Sequence, residues 1–276
     1  MSTPQETARS WAHYTEPSTV DVDGLATAYR RAGDGPTTVY LHGGGLTRMW
    51  LPFYERLAQK LDLVAPEHPG FGDTPLPDHF LTFSDFVLHY DAFFDALDLD
   101  DVHLVAHSLG GWIGANLAVF YPRRFKSLTL VTPTGLRLPD VDSIDTFRMT
   151  PEEGALALLN GRAERYTEYF VQEGEPEDAI HAFSESATMA RLTFNPRYDF
   201  RLDSRLARVT SPTLVIGAQD DRIVPTEMAG RFAEVIPGAR LVTVEGPDGE
   251  ASSHVPHLEQ PDAVAALVTE HILANA

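Results

Sequence analysis

The stretch V-H-L-V-A-H-S-L-G-G-W-I-G-A-N-L-A, Val102 to Ala118, limits the folds open to this chain more than any other. Its apolar run Leu104-Val105-Ala106 stops at His107-Ser108. From Gly110 onward small and apolar residues recur at helical spacing, which predicts strand, very sharp turn, helix. A serine at the tip of such a turn is forced into a strained backbone conformation. The turn closes only if the residues two before and two after are small, and here these are Ala106 and Gly110. Gly111 and Gly114 then let the helix lie close to a sheet. The Ser108 hydroxyl is held clear of the strand, and the N–H of Leu109 at the helix start points toward any oxygen that develops negative charge. This is a nucleophile elbow, with alanine where the pattern G-x-S-x-G has its first glycine. Taken alone, the same residues also fit a serine that caps a helix.

The flanking sequence supplies a sheet. Two short alternating runs around Asp23-Gly24 predict an antiparallel hairpin between Ser18 and Gly33. Thr37 to Leu41 reads as a buried strand that runs into His42-Gly43-Gly44-Gly45, followed by helical periodicity from Trp50 to Leu61. Three successive glycines exceed what a strand-to-helix turn needs, and they free backbone N–H groups to face a ligand. A phosphate loop is excluded because no lysine follows as the nucleotide motif demands. Leu61 to Pro66 is a further strand, and Ser84 to Leu97 an amphipathic helix whose stripe Phe86, Tyr90, Phe93, Phe94 and Leu97 is expected to be core. After the elbow, Ser127 to Val131 is the next strand. Strands alternating with helices in this way predict a mostly parallel, doubly wound α/β sheet.

The alternation stops after Thr132-Pro133-Thr134-Gly135. Between Leu136 and Leu206 only helical segments are expected. One starts at Thr150-Pro151-Glu152-Glu153, which carries an N-cap, a proline at the first helical position and the acid of a capping box. The others are Ala163 to Gln172 and Glu177 to Leu192. The expected organisation is therefore a core of residues 1–135 and 207–276 and a helical cap of residues 136–206, lying over the crevice where α/β sheets bind ligands. The sheet resumes at Thr213 to Gly217, with a helix from Thr226 to Val235, a strand from Arg240 to Val244, a polar glycine-rich loop and a closing helix.

Composition narrows the partners. Lys and Arg total 21 against 40 Asp and Glu in 276 residues, a formal charge of -19 that repels nucleic acid and anionic lipid. No cysteine is present, so disulfides and thiolate metal sites are unavailable. No apolar run approaches the ~20 residues of a membrane span, and the first residues do not read as a signal peptide. The expectation is a soluble, cytoplasmic protein with a small-molecule substrate, no nucleic-acid or membrane partner and no metal, and with room for a homodimer.

A serine hydroxyl needs a base within reach and an acid that orients the base. His254 and Asp221 each lie in a loop after a late strand, and the chain order Ser, acid, His is that of α/β sheets of this kind. At this point the chain resembles the α/β-hydrolase superfamily over nearly its whole length. The matching pieces are H-G-G-G at His42 to Gly45, A-H-S-L-G-G at Ala106 to Gly111, D-R-I-V-P at Asp221 to Pro225 and S-H-V-P-H-L-E-Q-P at Ser253 to Pro261. The resemblance implies an α/β-hydrolase fold with an inserted helical cap, and selects Asp221 over Asp220 and His254 over His257. It implies an oxyanion hole from Leu109 and Gly44, with His42, Gly43, Gly45 and His107 in support. The loop from Gly246 to Ser253 departs from the pattern in being longer and more polar.

The expected activity is hydrolysis of a small neutral carboxylic ester or lactone through an acyl-enzyme on Ser108, without cofactor. One rival is carbon–carbon hydrolysis of vinylogous diketones. The similar enzymes of that kind carry asparagine before the nucleophile and tryptophan after the histidine, where this chain has His107 and Val255. Another is a small-molecule receptor on the same fold, which would acylate at most once. Phe147, Met149, Tyr166, Tyr169, Phe170, Phe183, Met189 and Phe194 are the candidate cap residues for an apolar pocket.

Overall fold

The computed structural model describes residues 13–142, 144–170 and 176–276. In chain order they form β1 (Ser18–Val22), β2 (Leu25–Ala32), β3 (Thr37–Leu41), α1 (Pro52–Ala58), β4 (Asp62–Pro66), α2 (Phe83–Ala96), β5 (Val102–His107), α3 (Leu109–Phe120) and β6 (Phe125–Val131). There follow α4 (Pro151–Leu158), α5 (Pro176–Thr193), α6 (Leu202–Leu206), β7 (Thr213–Gly217), α7 (Glu227–Val235), β8 (Arg240–Thr243), α8 (Pro256–Glu259) and α9 (Pro261–Leu273).

The strands make one sheet in the order β1-β2-β4-β3-β5-β6-β7-β8. The hairpin at its edge is antiparallel to itself and to β4, and the remaining strands are parallel. Alternation within single strands explains why both faces are covered: Val39 and Leu41 enter one apolar cluster while Tyr40 enters the other. The first cluster lies under α2, α3, α6 and α7, and the second under α1, α8 and α9. The aromatic stripe of α2 is core, with Phe86, Tyr90, Phe93 and Phe94 all fully buried. Glycines in α3 set how closely it packs, since a Cβ on Gly114 would stand 2.9 Å from the Ala106 Cβ of β5.

Among the described residues no strand lies between 136 and 206. Helix α4 starts as expected: Thr150 Oγ1 accepts from the Glu153 amide at 3.2 Å and Glu153 Oε2 accepts from the Thr150 amide at 2.8 Å. The expected helix from Ala163 is instead a 3₁₀ segment, Ala163–Tyr169, with non-helical backbone at Tyr166. Its aromatic residues explain the difference. Tyr166, Tyr169 and Phe170 pack against the second cluster of the core, and tertiary contact overrides the α periodicity. Gln172, the expected end of that helix, lies outside the described residues. Helix α6 was hidden from a periodicity argument by its five-residue length.

Candidate active site

Ser108 follows the last residue of β5 and precedes the first of α3, with φ 51 and ψ -113. Few L-residues adopt this conformation, and the surroundings hold it. The Ser108 amide donates to Val131 of β6 at 3.0 Å, and its carbonyl accepts from Trp112 at 3.2 Å. Leu109 is the first helical residue, so its N–H has no intrahelical acceptor. Across from it runs the glycine loop. A Cβ on Gly43 would meet His107 Nδ1 at 2.6 Å and Ser108 Cβ at 3.2 Å, so glycine is required there for space. One on Gly44 would stand 3.0 Å from Met189 Sδ of α5, which covers that part of the loop.

The structure brings Ser108, His254 and Asp221 together. His254 Nε2 lies 2.8 Å from Ser108 Oγ, and His254 Nδ1 lies 2.7 Å from Asp221 Oδ2. With the proton on Nδ1 donated to the carboxylate, Nε2 is free to accept from the serine hydroxyl. Asp221 Oδ1 in turn accepts from the amides of Ile223 at 2.9 Å and Val224 at 2.8 Å, which fixes its rotamer. Asp220 points elsewhere, with Oδ2 paired to the exposed Arg222 at 2.8 Å. The long loop before His254 does not displace the imidazole. The backbone carbonyl of His254 accepts from Thr132 Oγ1 at 2.8 Å and from His107 Nε2 at 3.1 Å.

The neighbouring histidines are neutral. Burial pushes His42 down to about 4 and His257 down to about 3, and it holds His68 and His107 well below the ordinary imidazole range. His42 bridges the glycine loop to the next one: its Nε2 accepts from the His68 amide at 2.9 Å. His257 lies under the site, 3.3 Å from the Tyr40 hydroxyl, and is no nearer role than support. Gly45 has open space around it. Thr132, which takes up φ 39, went unnoticed in the sequence, as did Trp112 in the cavity wall. Their contacts are made across the fold and leave no local spacing to read.

A cavity of about 360 Å³ opens onto Ser108. Its wall is chiefly apolar, with Trp112, Leu136, Ile144, Phe147, Met189, Ile223 and Met228 among the residues that line it. Of the eight aromatic and methionine residues expected to line a pocket, Phe147 and Met189 do so. Tyr166, Tyr169 and Phe170 are core packing, Met149 is half-buried away from the cavity lining, and Phe183 and Phe194 are 75% and 57% exposed. The wall also carries Arg137, Asp142 and Arg197, the last paired with Asp145 at 2.9 Å. Among the described residues no helix is long and apolar enough to cross a membrane, and no group of three or more His, Asp and Glu side chains could hold a metal ion.

A strained serine between a parallel strand and a helix, in front of a glycine loop and a His–Asp pair, defines an α/β-hydrolase. The model of the alpha/beta hydrolase family matches residues 38–267, and the chain belongs to that family. It is 26% identical over 229 residues to the protein named carbamate hydrolase RutD of Pseudomonas savastanoi pv. phaseolicola, covering 77% of this chain and 86% of that one. It is 27% identical over 237 residues to 2-hydroxy-6-oxo-6-(2'-aminophenyl)hexa-2,4-dienoic acid hydrolase of Metapseudomonas resinovorans, covering 79% of each. In fold it is similar to the meta-cleavage product hydrolase of Pseudomonas fluorescens IP01, with a TM-score of 0.76 and 22% identity over 94% of this chain and 98% of that one.

Proposed function

We propose that the protein is a serine hydrolase of small carboxylic esters or lactones, with Ser108 as nucleophile, His254 as general base and acid, and Asp221 as the residue that orients the imidazole. The observation that carries this reading is the continuous hydrogen-bonded line from Asp221 Oδ2 through His254 to Ser108 Oγ, at 2.7 and 2.8 Å, opening onto a mainly apolar cavity. His254 Nε2 takes the hydroxyl proton as Oγ attacks the carbonyl carbon. The oxyanion that forms is stabilised by the N–H groups of Leu109 and Gly44, each worth roughly 3 to 4 kcal/mol of barrier. His254 then returns the proton to the leaving alcohol, and the same base activates water to cleave the acyl-enzyme. Burial makes His42, His68, His107 and His257 weak bases, and it is His254 that is hydrogen-bonded to Ser108 Oγ. The segment 136–206 acts as a cap that contributes Phe147 and Met189 to the substrate cavity.

A second reading is supported by the dienoic acid hydrolase among the relatives: carbon–carbon hydrolysis of a vinylogous diketone. It uses the same line of residues. His107 and Val255 stand where the similar enzymes of that kind carry asparagine and tryptophan, which favours the ester reading. The test is a substrate panel of p-nitrophenyl esters of rising chain length, lactones, an aryl carbamate and a diketone dienoate. Turnover of esters or lactones above the others supports the proposal, and preferred turnover of the dienoate or the carbamate overturns it. A single acylation without turnover would make the protein a receptor.

A further inference from the structure

Two loops must keep their spacing for the site to work: residues 218–221, which carry Asp221, and residues 251–254, which end in His254. They are stitched directly by the Asp220 amide donating to the Ser252 carbonyl at 3.0 Å and by the Gln219 amide donating to Ser252 Oγ at 2.9 Å. A third element clasps both, and it comes from the inserted segment. At the end of α4 the chain turns through left-handed backbone at Asn160 (φ 51) and Gly161 (φ 84). The turn is anchored by Leu159, which is fully buried in the core. It aims two side chains at the loops.

Asn160 Nδ2 donates to the carbonyl of Asp220 at 2.7 Å and sits 3.4 Å from that of Ser252. Arg162 Nη2 donates to the carbonyl of Ala251 at 3.0 Å and pairs with Glu259 Oε1. The Glu259 side chain is wholly inaccessible, and its other oxygen accepts from the amide of Ser253 at 2.8 Å. The residue immediately before Asp221 and the three before His254 are thus all bound, directly or through Glu259, by one corner of the insertion.

We propose that Asn160 and Arg162 are positioning residues: the corner they form, with Glu259, holds the acid and the histidine in register and makes the reactivity of Ser108 depend on how the inserted segment is seated. The proposal rests on the reading of Ser108, His254 and Asp221 as the reacting groups. A displacement of these loops by about 1 Å is enough to cost on the order of 10²-fold in rate.

The test compares Asn160→Gly, which keeps the left-handed turn and removes the amide, with Arg162→Met, Arg162→Lys and the intact protein, each checked for folding by circular dichroism. Three readouts are taken: kcat and KM on a p-nitrophenyl ester, the second-order rate of fluorophosphonate labelling, and the pH profile of that labelling. Expected are 10- to 100-fold losses in kcat and labelling rate for Asn160→Gly and Arg162→Met, KM within about threefold, a displaced pH profile, and partial recovery in Arg162→Lys. Wild-type labelling rates and pH profiles in folded variants, with only a lower Tm, would overturn it, as would a loss confined to KM. Should Arg162→Met fail to fold, Asn160→Gly decides by the same criteria. Failure of the underlying reading looks different: the intact protein and Ser108→Ala would then label equally.

Discussion

The Gly110 amide donates to the carbonyl of His42 at 3.0 Å, so the elbow carrying Ser108 and the glycine loop facing it form one hydrogen-bonded unit. The approach is so close that a Cβ on Gly110 would stand 2.3 Å from the carbonyl oxygen of Leu41 and 2.4 Å from that of His42. Both obstacles are backbone and cannot rotate away. Gly110→Ala is therefore expected to push the end of β3 and the glycine loop off the elbow, lowering turnover by roughly 10²-fold and reducing Tm. Gly154→Ala is the control, since that helix position has open space around it and the change should be neutral or stabilise by about 0.5–1 kcal/mol. Equal turnover in the two variants would show that the close approach is not needed.

Removing the Ser108 hydroxyl should abolish the reaction without unfolding the chain, because its side chain donates only into the site. Ser108→Ala is expected to lose on the order of 10⁴-fold or more in turnover. It should also lose all fluorophosphonate labelling. Labelling retained at the wild-type level would move the nucleophile elsewhere.

The two adjacent aspartates separate cleanly. Asp221 bonds to His254, whereas Asp220 pairs with Arg222 at the surface. Asp221→Asn presents an amide to Nδ1 and leaves the imidazole in the wrong tautomer, with an expected loss of roughly 10⁴-fold in kcat. Asp220→Asn removes an exposed ion pair and should cost less than about tenfold. Comparable kcat values for the two variants would refute the assignment of Asp221.

What could be read from the chain alone follows the range of the forces involved. The strands and the elbow are set by local patterns, a short buried-type run in β3 and small residues around Ser108, and the structure agrees with both. His254 and Asp221 were legible because each sits in a short motif whose register is fixed by a nearby proline. Asn160, Arg162 and Thr132 were not legible. They act on backbone carbonyls about 60 to 120 residues away, and any donor brought there by the fold could do the same. The 3₁₀ segment from Ala163 to Tyr169 escaped for a related reason: its conformation answers to the core surface under Tyr169 and Phe170, not to its own periodicity.

Acid should destabilise the protein well before its carboxylates are protonated. Burial pushes His42 and His89 down to about 4 and His257 down to about 3, and His68 and His107 also titrate well below the ordinary range. In the unfolded chain each titrates near 6.5. Between pH 6.5 and about 4 the unfolded state therefore binds protons that the folded state does not, and stability falls as the pH drops through that window. Each such histidine contributes a slope of up to about 1.4 kcal/mol per pH unit. Glu185, raised by burial, works in the opposite direction, but it is one group against seven histidines, since burial also pushes His103 down to about 4 and lowers His271. Urea unfolding at pH 7 and pH 5 should show a fall of several kcal/mol, and an unchanged midpoint would contradict the neutral histidine shell.

The inserted segment sorts its aromatic residues by where they face, and substrate preference should follow that sorting. Phe147 lines the cavity that opens on Ser108 and packs edge to face with Phe194 at 5.5 Å. Phe183 is 75% exposed and lines no part of it. Truncating Phe147 enlarges the cavity that opens on Ser108, so Phe147→Ala is expected to shift kcat/KM toward longer acyl chains by several-fold. Each methylene newly accommodated contributes about 0.8 kcal/mol of burial. The rate of labelling by a small phosphonate should stay within about twofold, because that probe carries no acyl chain to fill the enlarged space and the hydrogen bonds of the Ser108–His254–Asp221 line do not involve Phe147. Phe183→Ala should change neither quantity. The apolar majority of the wall favours neutral acyl groups, and the net charge of -19 works against anions approaching the site. Arg137, exposed in the same wall, is the feature that opposes this expectation. Dicarboxylate half-esters and neutral esters of equal length, assayed on the intact protein and on Arg137→Gln, decide between them: neutral esters should be turned over faster by both, and a half-ester preference lost in Arg137→Gln would show that the arginine, not the apolar wall, sets specificity.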